Sequence, residues 1–332
     1  MLRRFLTKRR LKAAAGLGLL LAVAANVVAF LHARAMTHFV SSGNRTPAPE
    51  ELTAAQKLGV LFTGVRVPRP ENRQTPHDFG MDYETVTFSG AKGVTLEAWH
   101  THQPSAPGIV LMFPGYSASK DSLLPVAKVF HDLGYETLPV DFYGSGGSGG
   151  NETSIGYHEG EDVAAAFAWA QKLPGHPHII LYGASMGAAA ILRAIHAHGI
   201  QPAEIILECP FDRLLTTTQN RFASMRLPAF PFAQLLVFWG GAQQGFNGFK
   251  HNPAEYARSV HCPTLLMHGG RDPRVTVEQT GNIYVQLQGA KTLEQFNSLG
   301  HGSAVGNQSV EWRQSVRKFL DEQFKLTGKK PD

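Results

Sequence analysis

Apolar and polar positions change their spacing along the chain in a way that predicts alternating strands and helices from residue 84 onward. Two runs of alternating apolar residues, joined by glycines, predict a β-hairpin at 84–89 and 94–100. A short, wholly apolar run predicts a strand buried on both faces at 109–113. The strand signal is repeated at 136–141, 179–182, 204–207, 264–268 and 293–297. Helical spacing occupies 123–133, 160–173, 186–198, 277–287 and 310–324. The sequence therefore predicts an α/β fold with a mostly parallel, eight-stranded sheet and helices on both faces.

The first 33 residues follow a different pattern. Residues 1–12 contain six basic side chains, and residues 13–33 contain no Asp, Glu, Lys or Arg. A helix of about 20 residues is long enough to cross a hydrocarbon core, and basic residues before it favour a cytoplasmic N-terminus. We predict a basic cytoplasmic segment at 1–12 and a transmembrane signal anchor at 13–33 in the inner membrane, with the folded domain on the periplasmic side. The alternative is secretion after cleavage, because 22–24 and 33–35 resemble signal-peptidase sites.

The remaining boundaries follow from composition. Prolines and mixed polar sequence at 34–83 predict a stalk with a short helix near 52–61. The main domain is expected at 84–325, followed by a tail at 326–332. An insertion at 211–258, between two predicted strands, is rich in large apolar residues and predicts a cap over one edge of the sheet.

The net charge of +5 does not indicate a nucleic-acid partner once its position along the chain is considered. Because the first twelve residues hold six positive charges, the rest of the chain is close to neutral and has no basic stripe for nucleic acid. Two cysteines, Cys209 and Cys262, are too few for a disulfide framework, and we expect free thiols.

The segment Gly183-Ala184-Ser185-Met186-Gly187 follows a predicted strand and precedes a predicted helix. In this context the pattern Gly-x-Ser-x-Gly predicts a sharp turn that exposes a nucleophilic hydroxyl above the sheet. The flanking glycines avoid clashes that a β-carbon would cause there. Ser185 is therefore the predicted nucleophile.

A serine hydroxyl needs a base, and the base needs an orienting acid. Asp272 follows the glycines after the strand at 264–268, and His301 lies between glycines after the strand at 293–297. Both should lie at the edge of the sheet that carries Ser185. We predict a triad of Ser185, Asp272 and His301, with Glu208 and Asp212 as alternative acids.

The oxyanion of such a reaction needs two donors. The N–H of Met186, directly after the nucleophile, is one. The second is expected after the strand at 109–113, where we assign the N–H of Tyr116 because Pro114 has none; the tyrosine hydroxyl is an alternative. This chemistry requires no metal and no organic cofactor.

Together these segments resemble the α/β-hydrolase superfamily, and in particular its bacterial esterase, lipase and serine-aminopeptidase-like members. The resemblance covers roughly 84–324 and also includes Asp141-Phe142-Tyr143-Gly144-Ser145-Gly146-Gly147-Ser148, at the position of an Asp-x-x-Gly-x-Gly-x-Ser segment. It implies the α/β-hydrolase fold with a small cap. Pro114 stands where the superfamily usually has histidine, which is a departure in the oxyanion loop.

The cap favours one substrate class. It is apolar, and its acidic residues are only Asp212 and Glu255, whereas an aminopeptidase needs carboxylates for the substrate's ammonium group. We predict a serine hydrolase that cleaves carboxylic esters of small or lipid-like molecules. A peptidase or aminopeptidase, an acyltransferase, and a membrane-tethered binding protein without activity are the alternatives.

Two histidine pairs, His100-x-His102 and His196-x-His198, have i, i+2 spacing. The second lies on a predicted helix, where this spacing turns the side chains apart. We therefore predict no metal site at either pair.

Overall fold

The computed structural model describes residues 2–47, 51–175, 178–301 and 309–327. The chain begins with a long helix, α1 (Leu2–Thr37), and a short one, α2 (Ala54–Thr63). Helix α2 begins at a capping box in which Thr53 and Gln56 satisfy each other's backbone N–H groups.

The strands appear where the apolar runs predict them. β1 (Glu84–Ser89) and β2 (Thr95–His100) form an antiparallel pair. The other strands form a six-stranded parallel sheet in the order β4-β3-β5-β6-β7-β8. Their bounds are β3 (Ile109–Phe113), β4 (Glu136–Pro139), β5 (Ile179–Ala184), β6 (Glu204–Glu208), β7 (Thr264–Gly269) and β8 (Lys291–Phe296).

The predicted α/β fold with a mostly parallel sheet is confirmed, but the parallel sheet has six strands rather than eight, and β1 and β2 form a separate pair. The hairpin meets the edge strand β4 only through isolated bridges, Ala98 to Val140 and Thr101 to Thr137. The N–H of Thr137 donates to Thr101 and that of Asp141 donates to Glu97. Pro139 lies between them on the same side of the strand and has no N–H to donate, so the ladder is interrupted there.

Helices cover both faces of the sheet, as predicted. The bounds are α3 (Leu124–Asp132), α4 (Glu159–Ala170), α5 (Met186–His198), α9 (Val277–Gln286) and α10 (Ser309–Thr327). Alternate residues of β3 point to opposite faces: Ile109 and Leu111 pack with α4 and α5, and Val110 packs with α3 and α10. This period of two places one apolar core on each side of the sheet.

Between β6 and β7 the chain forms three further helices, α6 (Leu214–Ser224), α7 (Phe232–Gln244) and α8 (Pro253–Tyr256). The C-terminal part of α1 packs against α7. The rings of Phe30 and Trp239 meet edge to face with centroids 5.3 Å apart, and the indole N–H of Trp239 donates to Asn26 at 3.2 Å. The predicted cap segment is thus in direct contact with the N-terminal helix.

In the described part of the chain, the helix over Lys8–Thr37 is the one that is long and apolar enough to cross a membrane. Its earlier turns expose large apolar side chains, including Leu17, Leu19, Leu20 and Leu21. The segment between α1 and β1 lies against the folded body: Val40 bridges Pro68, and Arg69 donates to the carbonyl oxygen of Gly146 at 2.7 Å.

Candidate active site

The turn between β5 and α5 holds Ser185 in a strained conformation. Its φ is 51° and its ψ is −109°, values that few non-glycine residues adopt. Two glycines leave room for the turn: a β-carbon on Gly183 would lie 2.6 Å from the amide nitrogen of Ala188, and one on Gly187 would lie 2.2 Å from the carbonyl oxygen of Phe113. The close packing of helix on strand therefore requires glycine at both positions.

Ser185, His301 and Asp272, which the sequence predicts as a triad, form one chain of hydrogen bonds. The Oγ of Ser185 lies 3.0 Å from Nε2 of His301, and Nδ1 of His301 lies 2.6 Å from Oδ2 of Asp272. The carboxylate of Asp272 is fully buried, and the ring of His301 is 14% exposed. A carboxylate only accepts hydrogen bonds, so Nδ1 carries the proton and Nε2 is left to accept from the serine hydroxyl.

The second oxygen of Asp272 is held by the backbone. Oδ1 accepts the N–H of Arg274 at 2.7 Å and that of Val275 at 3.0 Å. Burial alone would raise the pKa of this carboxyl, but the hydrogen bond and charge of His301, with the two N–H groups, lower the pKa below its ordinary value. The carboxylate therefore stays ionised beside the imidazole.

The two alternative acids have other hydrogen-bond partners, although Glu208 lines the same pocket as Ser185 and His301. Glu208 accepts the indole N–H of Trp312 in the core. Asp212 accepts the side-chain amides of Gln279 at 2.6 Å and Asn282 at 3.0 Å. Of the three candidate acids, Asp272 is the one in hydrogen-bond contact with His301.

The turn after β3 lies beside the serine. A β-carbon on Gly115 would be 3.7 Å from Cβ of Ser185, so the following residue, Tyr116, is next to the nucleophile. The tyrosine hydroxyl donates to the carbonyl oxygen of Met36, in the last turn of α1, at 2.6 Å. Burial raises the pKa of this hydroxyl to about 12, against the opposing charges of Arg221 and Arg45. Its proton is engaged with α1 rather than with Ser185.

Met186 lies at the first position of α5. N–H groups in the first turn of a helix have no acceptor within the helix, and the helix dipole adds positive character there. Both residues predicted to supply oxyanion donors therefore adjoin Ser185, Met186 in the chain and Tyr116 in the pocket.

Three arginines of the site were not identified from the sequence. A pocket of about 180 Å³ above Ser185 is lined by Arg45, Arg221 and Arg274 together with Tyr116 and His301. They come from the N-terminal segment, the cap helix α6 and the loop after β7. Arg274 could have been noticed two residues after Asp272, but the other two come from distant parts of the chain and left no local signal.

Cys209 is a further missed neighbour. It directly follows β6, has a φ of 47°, and is buried at the floor of the same pocket. The pKa of its thiol is raised to about 12, mainly by burial and further by the negative charges of Asp272 and Glu208. The thiol is therefore neutral and is not a competing nucleophile.

The pocket over Ser185 and a larger cleft of about 640 Å³ are lined in common by Tyr116 and the three arginines. The described residues that line the cleft include five cationic side chains and one carboxylate: Arg45, Lys57, Arg66, Arg221, Arg274 and Glu51. Apolar side chains form much of the remaining wall: Met36, Leu52, Val60, Val65, Phe222, Met225, Leu227 and Leu236. The cleft thus combines positive charge near Ser185 with apolar surface.

The glycine loop that begins at Asp141 is anchored by a buried ion pair. The ammonium group of Lys120, 0% exposed, bonds Asp141 and also lies 2.7 Å from Glu97. The Asp141 carboxylate also accepts from Asn72 and from the N–H of Gly147, each at 2.8 Å. The Asp-x-x-Gly-x-Gly-x-Ser segment is therefore tied at its first residue to the loop after β3 and to the N-terminal segment.

Comparison with known proteins gives a consistent picture. A family model described as the prolyl oligopeptidase family matches residues 123–327. The uncharacterised protein YqkD of Bacillus subtilis is 25% identical over 244 residues, which cover 73% of this chain and 80% of that protein. The lysophosphatidylserine lipase ABHD12 of Macaca fascicularis is 23% identical over 300 residues, covering 79% of this chain and 73% of that one.

Among solved structures, the esterase Pf2001 of Pyrococcus furiosus superposes with a TM-score of 0.65 at 24% identity, over 77% of this chain and 96% of that one. An esterase of Exiguobacterium antarcticum gives 0.54 at 18% identity, over 72% and 100%. These likenesses show the α/β-hydrolase fold. Since the family model spans more than half of the sequence, the chain belongs to the prolyl oligopeptidase family of the α/β-hydrolase superfamily.

Proposed function

We propose that this protein hydrolyses carboxylic esters through an acyl-enzyme on Ser185. The observation that carries the proposal is the unbroken hydrogen-bonded chain from Ser185 through His301 to Asp272, with separations of 3.0 and 2.6 Å. A nucleophile, a base and an orienting acid in this relation are what acyl transfer at neutral pH requires.

In the acylation step, Nε2 of His301 takes the proton from Oγ of Ser185 as Oγ bonds to the ester carbonyl carbon. The carbonyl oxygen becomes an oxyanion, which accepts hydrogen bonds from the N–H groups of Met186 and Tyr116. The intermediate collapses as the bond to the leaving alkoxide oxygen breaks, and His301 returns its proton to that oxygen. Asp272 stabilises the imidazolium that exists between the two proton transfers.

Water completes the cycle. His301 removes a proton from a water molecule, whose oxygen bonds to the acyl carbon and forms a second oxyanion at the same two donors. Collapse of this intermediate breaks the bond from the acyl carbon to Oγ, and His301 protonates Ser185. The products are the free acid, the alcohol and the original enzyme.

The arginines favour an ester that also carries a negative charge. Arg45, Arg221 and Arg274 line both the pocket over Ser185 and the adjoining cleft. Guanidinium groups bind phosphate and carboxylate oxygens through paired hydrogen bonds. An anionic group attached close to the scissile ester would meet these side chains while the carbonyl carbon lies at Ser185.

The apolar part of the cleft favours a substrate with an acyl chain. Its wall includes Met36 from the end of α1, and Phe222, Met225 and Leu236 from the cap. Burying a chain there removes roughly 0.8 kcal/mol of unfavourable hydration for each methylene. We therefore propose anionic, single-chain lipid esters as the substrate class. The name of the relative ABHD12, a lysophosphatidylserine lipase, agrees with this class.

The same geometry disfavours an aminopeptidase. A substrate ammonium group needs a carboxylate partner, but the cap's Asp212 is 7% exposed and bonded to side-chain amides. Glu255, in α8, is exposed and lines neither the pocket over Ser185 nor the adjoining cleft. The cleft instead carries an excess of positive charge, which repels an ammonium group.

We also propose that α1 is a retained anchor in the inner membrane and that the hydrolase lies on the periplasmic side. Support for retention comes from the contacts of α1: Asn26 and Phe30 bond or pack against the cap, and Met36 accepts from Tyr116. Cleavage after residue 24 or 35 would remove all or part of these contacts. The intact mass of the protein isolated from membranes tests this directly. A mass that corresponds to a chain starting at residue 25 or 36 would contradict the retained anchor.

The test of function uses the full chain in detergent micelles. Lysophosphatidylserine, a monoacylglycerol of the same acyl chain and an aminoacyl-nitroanilide are compared as substrates. We expect the largest kcat/KM on the lysophospholipid, and expect Ser185→Ala to abolish both turnover and labelling by a fluorophosphonate. Ser259→Ala, whose hydroxyl bonds His196 on the protein surface, is the matched control. Turnover confined to the anilide, or labelling that survives Ser185→Ala, would refute the proposal.

A further inference from the structure

A second group of chemically active side chains lies away from Ser185. Glu84 stands at the start of β1, His100 at the end of β2, and His102 two residues later. Glu136, at the start of β4, adjoins them through ion pairs with both histidines. Ser185 follows the carboxyl end of β5, whereas Glu136 is at the amino end of the parallel strand β4. The group therefore lies at the opposite end of the parallel strands from Ser185.

The donor atoms are spaced as the ligands of one metal ion. One atom each from Glu84, His100 and His102 lie within 4.8 Å of one another. Oε1 of Glu84 is 3.4 Å from Nδ1 of His100 and 3.2 Å from Nε2 of His102. Zinc bonds of 2.0–2.1 Å in a tetrahedron separate neighbouring ligands by about 3.3 Å. These two separations match two edges of such a tetrahedron, and the donor atoms of the two histidines lie within 4.8 Å of each other.

His100 gives an independent indication. It is 1% exposed, and its Nδ1 is a buried nitrogen without a hydrogen-bond partner among the described residues. Its other nitrogen, Nε2, lies 2.8 Å from Oε2 of Glu136. If Nε2 carries the proton and donates it to Glu136, the lone pair of Nδ1 is left facing the carboxylate of Glu84. A buried nitrogen lone pair that faces a carboxylate oxygen, here that of the half-exposed Glu84, is unfavourable unless a cation lies between them.

Glu136 completes the arrangement as an outer partner. Histidines that bind zinc usually donate their second ring N–H to a carboxylate, which fixes the tautomer and the ring orientation. The bond from His100 to Glu136 has this form. His102 and Glu84 have half-exposed side chains, so an ion can reach the site from solvent.

We propose that Glu84, His100 and His102 bind a zinc ion, with Glu136 as the residue that orients His100. The site joins both strands of the hairpin, and Glu136 connects it to β4. Because β4 and the hairpin otherwise meet through isolated bridges, the ion would brace the two hairpin strands and, through the bond from His100 to Glu136, their contact with β4. Its role is structural and separate from ester hydrolysis.

The test measures zinc rather than activity. Full-length protein in detergent is stripped with a chelator and titrated with zinc, and bound metal and the thermal midpoint are recorded. We expect wild type to bind one more zinc per chain than His102→Ala or Glu84→Gln, and zinc to raise the wild-type midpoint by several degrees. Glu136→Gln should weaken affinity about 10- to 100-fold. Glu84, His102 and Glu136 are less buried than His100, so substitutions at these residues should disturb folding less than a substitution of His100.

His198→Ala is the matched control, since His198 is exposed on α5. Equal zinc affinity in wild type and His102→Ala would overturn the proposal, as would wild type without stoichiometric zinc. A zinc ion retained by His102→Ala and lost from Cys209→Ser would belong instead to the buried group of Cys209, His268 and Asp272. If that is the sole ion, the proposal also fails.

Discussion

Asp272 holds His301 with one carboxylate oxygen and its own loop with the other. Oδ2 lies 2.6 Å from Nδ1 of the imidazole, while Oδ1 accepts two backbone N–H groups of the residues that follow. The carboxylate thus has a fixed position, and through it the ring that faces Ser185 has a fixed tautomer and orientation.

Replacing Asp272 by asparagine should therefore leave the loop largely in place but favour the wrong tautomer of His301. We expect kcat to fall by about 10⁴-fold with a smaller change in KM. Steady-state kinetics on the lysophospholipid measure both. Asp212→Asn is the matched control, since Asp212 bonds Gln279 and Asn282 instead of His301. An equal loss of kcat in both variants would contradict the assigned acid.

The arginines should control selectivity rather than chemistry. Arg221→Gln and Arg45→Gln each remove a charge-assisted hydrogen bond to an anionic substrate, worth about 1.5–3 kcal/mol. We expect kcat/KM to fall about 10- to 100-fold on lysophosphatidylserine and to change little on the monoacylglycerol. Arg258→Gln, at an exposed guanidinium bonded to Gln286, is the control. Equal losses on both substrates would mean that the arginines support the fold and do not recognise charge.

The turn that carries Ser185 predicts different effects of alanine substitution at two glycines. In Gly187→Ala the new methyl group would lie 2.2 Å from the carbonyl oxygen of Phe113, so β3 and α5 must separate and the oxyanion turn must shift. We expect loss of nearly all turnover and a lower thermal midpoint. Gly281→Ala in α9 has open space around the methyl group and should be neutral or stabilising by up to about 1 kcal/mol. Fluorophosphonate labelling and thermal unfolding of both variants measure these effects.

Local sequence patterns predicted the parts of the site that depend on neighbouring residues. Ser185 was recognisable as a candidate because strand, glycine turn and helix follow one another. Asp272 and His301 were recognisable because each follows a predicted strand and lies beside or after glycines. In a parallel sheet, the ends of such strands meet at one edge. The strand positions were predictable for the same reason.

Contacts between distant segments were not predictable. Arg45 lies in the N-terminal segment and Arg221 in the cap, yet both line one pocket. No sequence pattern near either residue predicts this. The spacing His100-x-His102 was weighed as a metal site and set aside. In extended backbone that spacing puts both side chains on one face, and the rings do lie 4.0 Å apart, but the carboxylates beside them come from two other strands. The break in the sheet was not predictable either, because it depends on Pro139 lying at a position of β4 where an N–H would have pointed toward the hairpin.

The buried ion pair behind the glycine loop should be important for stability. Lys120→Met removes the cation and leaves the buried carboxylate of Asp141 uncompensated, which costs about 3–5 kcal/mol. Urea unfolding should show a correspondingly lower midpoint. Lys128→Met is the matched control, because Lys128 is a half-exposed partner of Asp132 and such pairs contribute at most about 1 kcal/mol. Similar midpoints for the two variants would contradict the assignment.

His251 should make stability depend on pH. Burial lowers its pKa from 6.5 to about 4, and Nε2 bonds the carbonyl oxygen of Ile155 at 3.0 Å. As pH falls below 6.5, the unfolded chain gains a proton that the folded chain does not accept until about pH 4. The free energy of unfolding should therefore decrease by about 3 kcal/mol across this interval and level off below it.

Urea unfolding at several pH values measures this slope, and His251→Asn should reduce it. His261→Asn, at an exposed histidine, is the control. A slope that is unchanged in His251→Asn would assign the pH dependence to other groups.

The bond from Tyr116 to Met36 has a consequence for how the enzyme meets its substrate. The helix proposed to cross the bilayer ends against the turn beside the nucleophile and is packed along the cap, so the hydrolase cannot swing freely as on a flexible tether. On this assignment Ser185 stays at a fixed height above the lipid surface. The encounter rate then depends on how many substrate molecules share the same leaflet, and diluting the substrate with inert lipid should slow turnover even when its total concentration is constant.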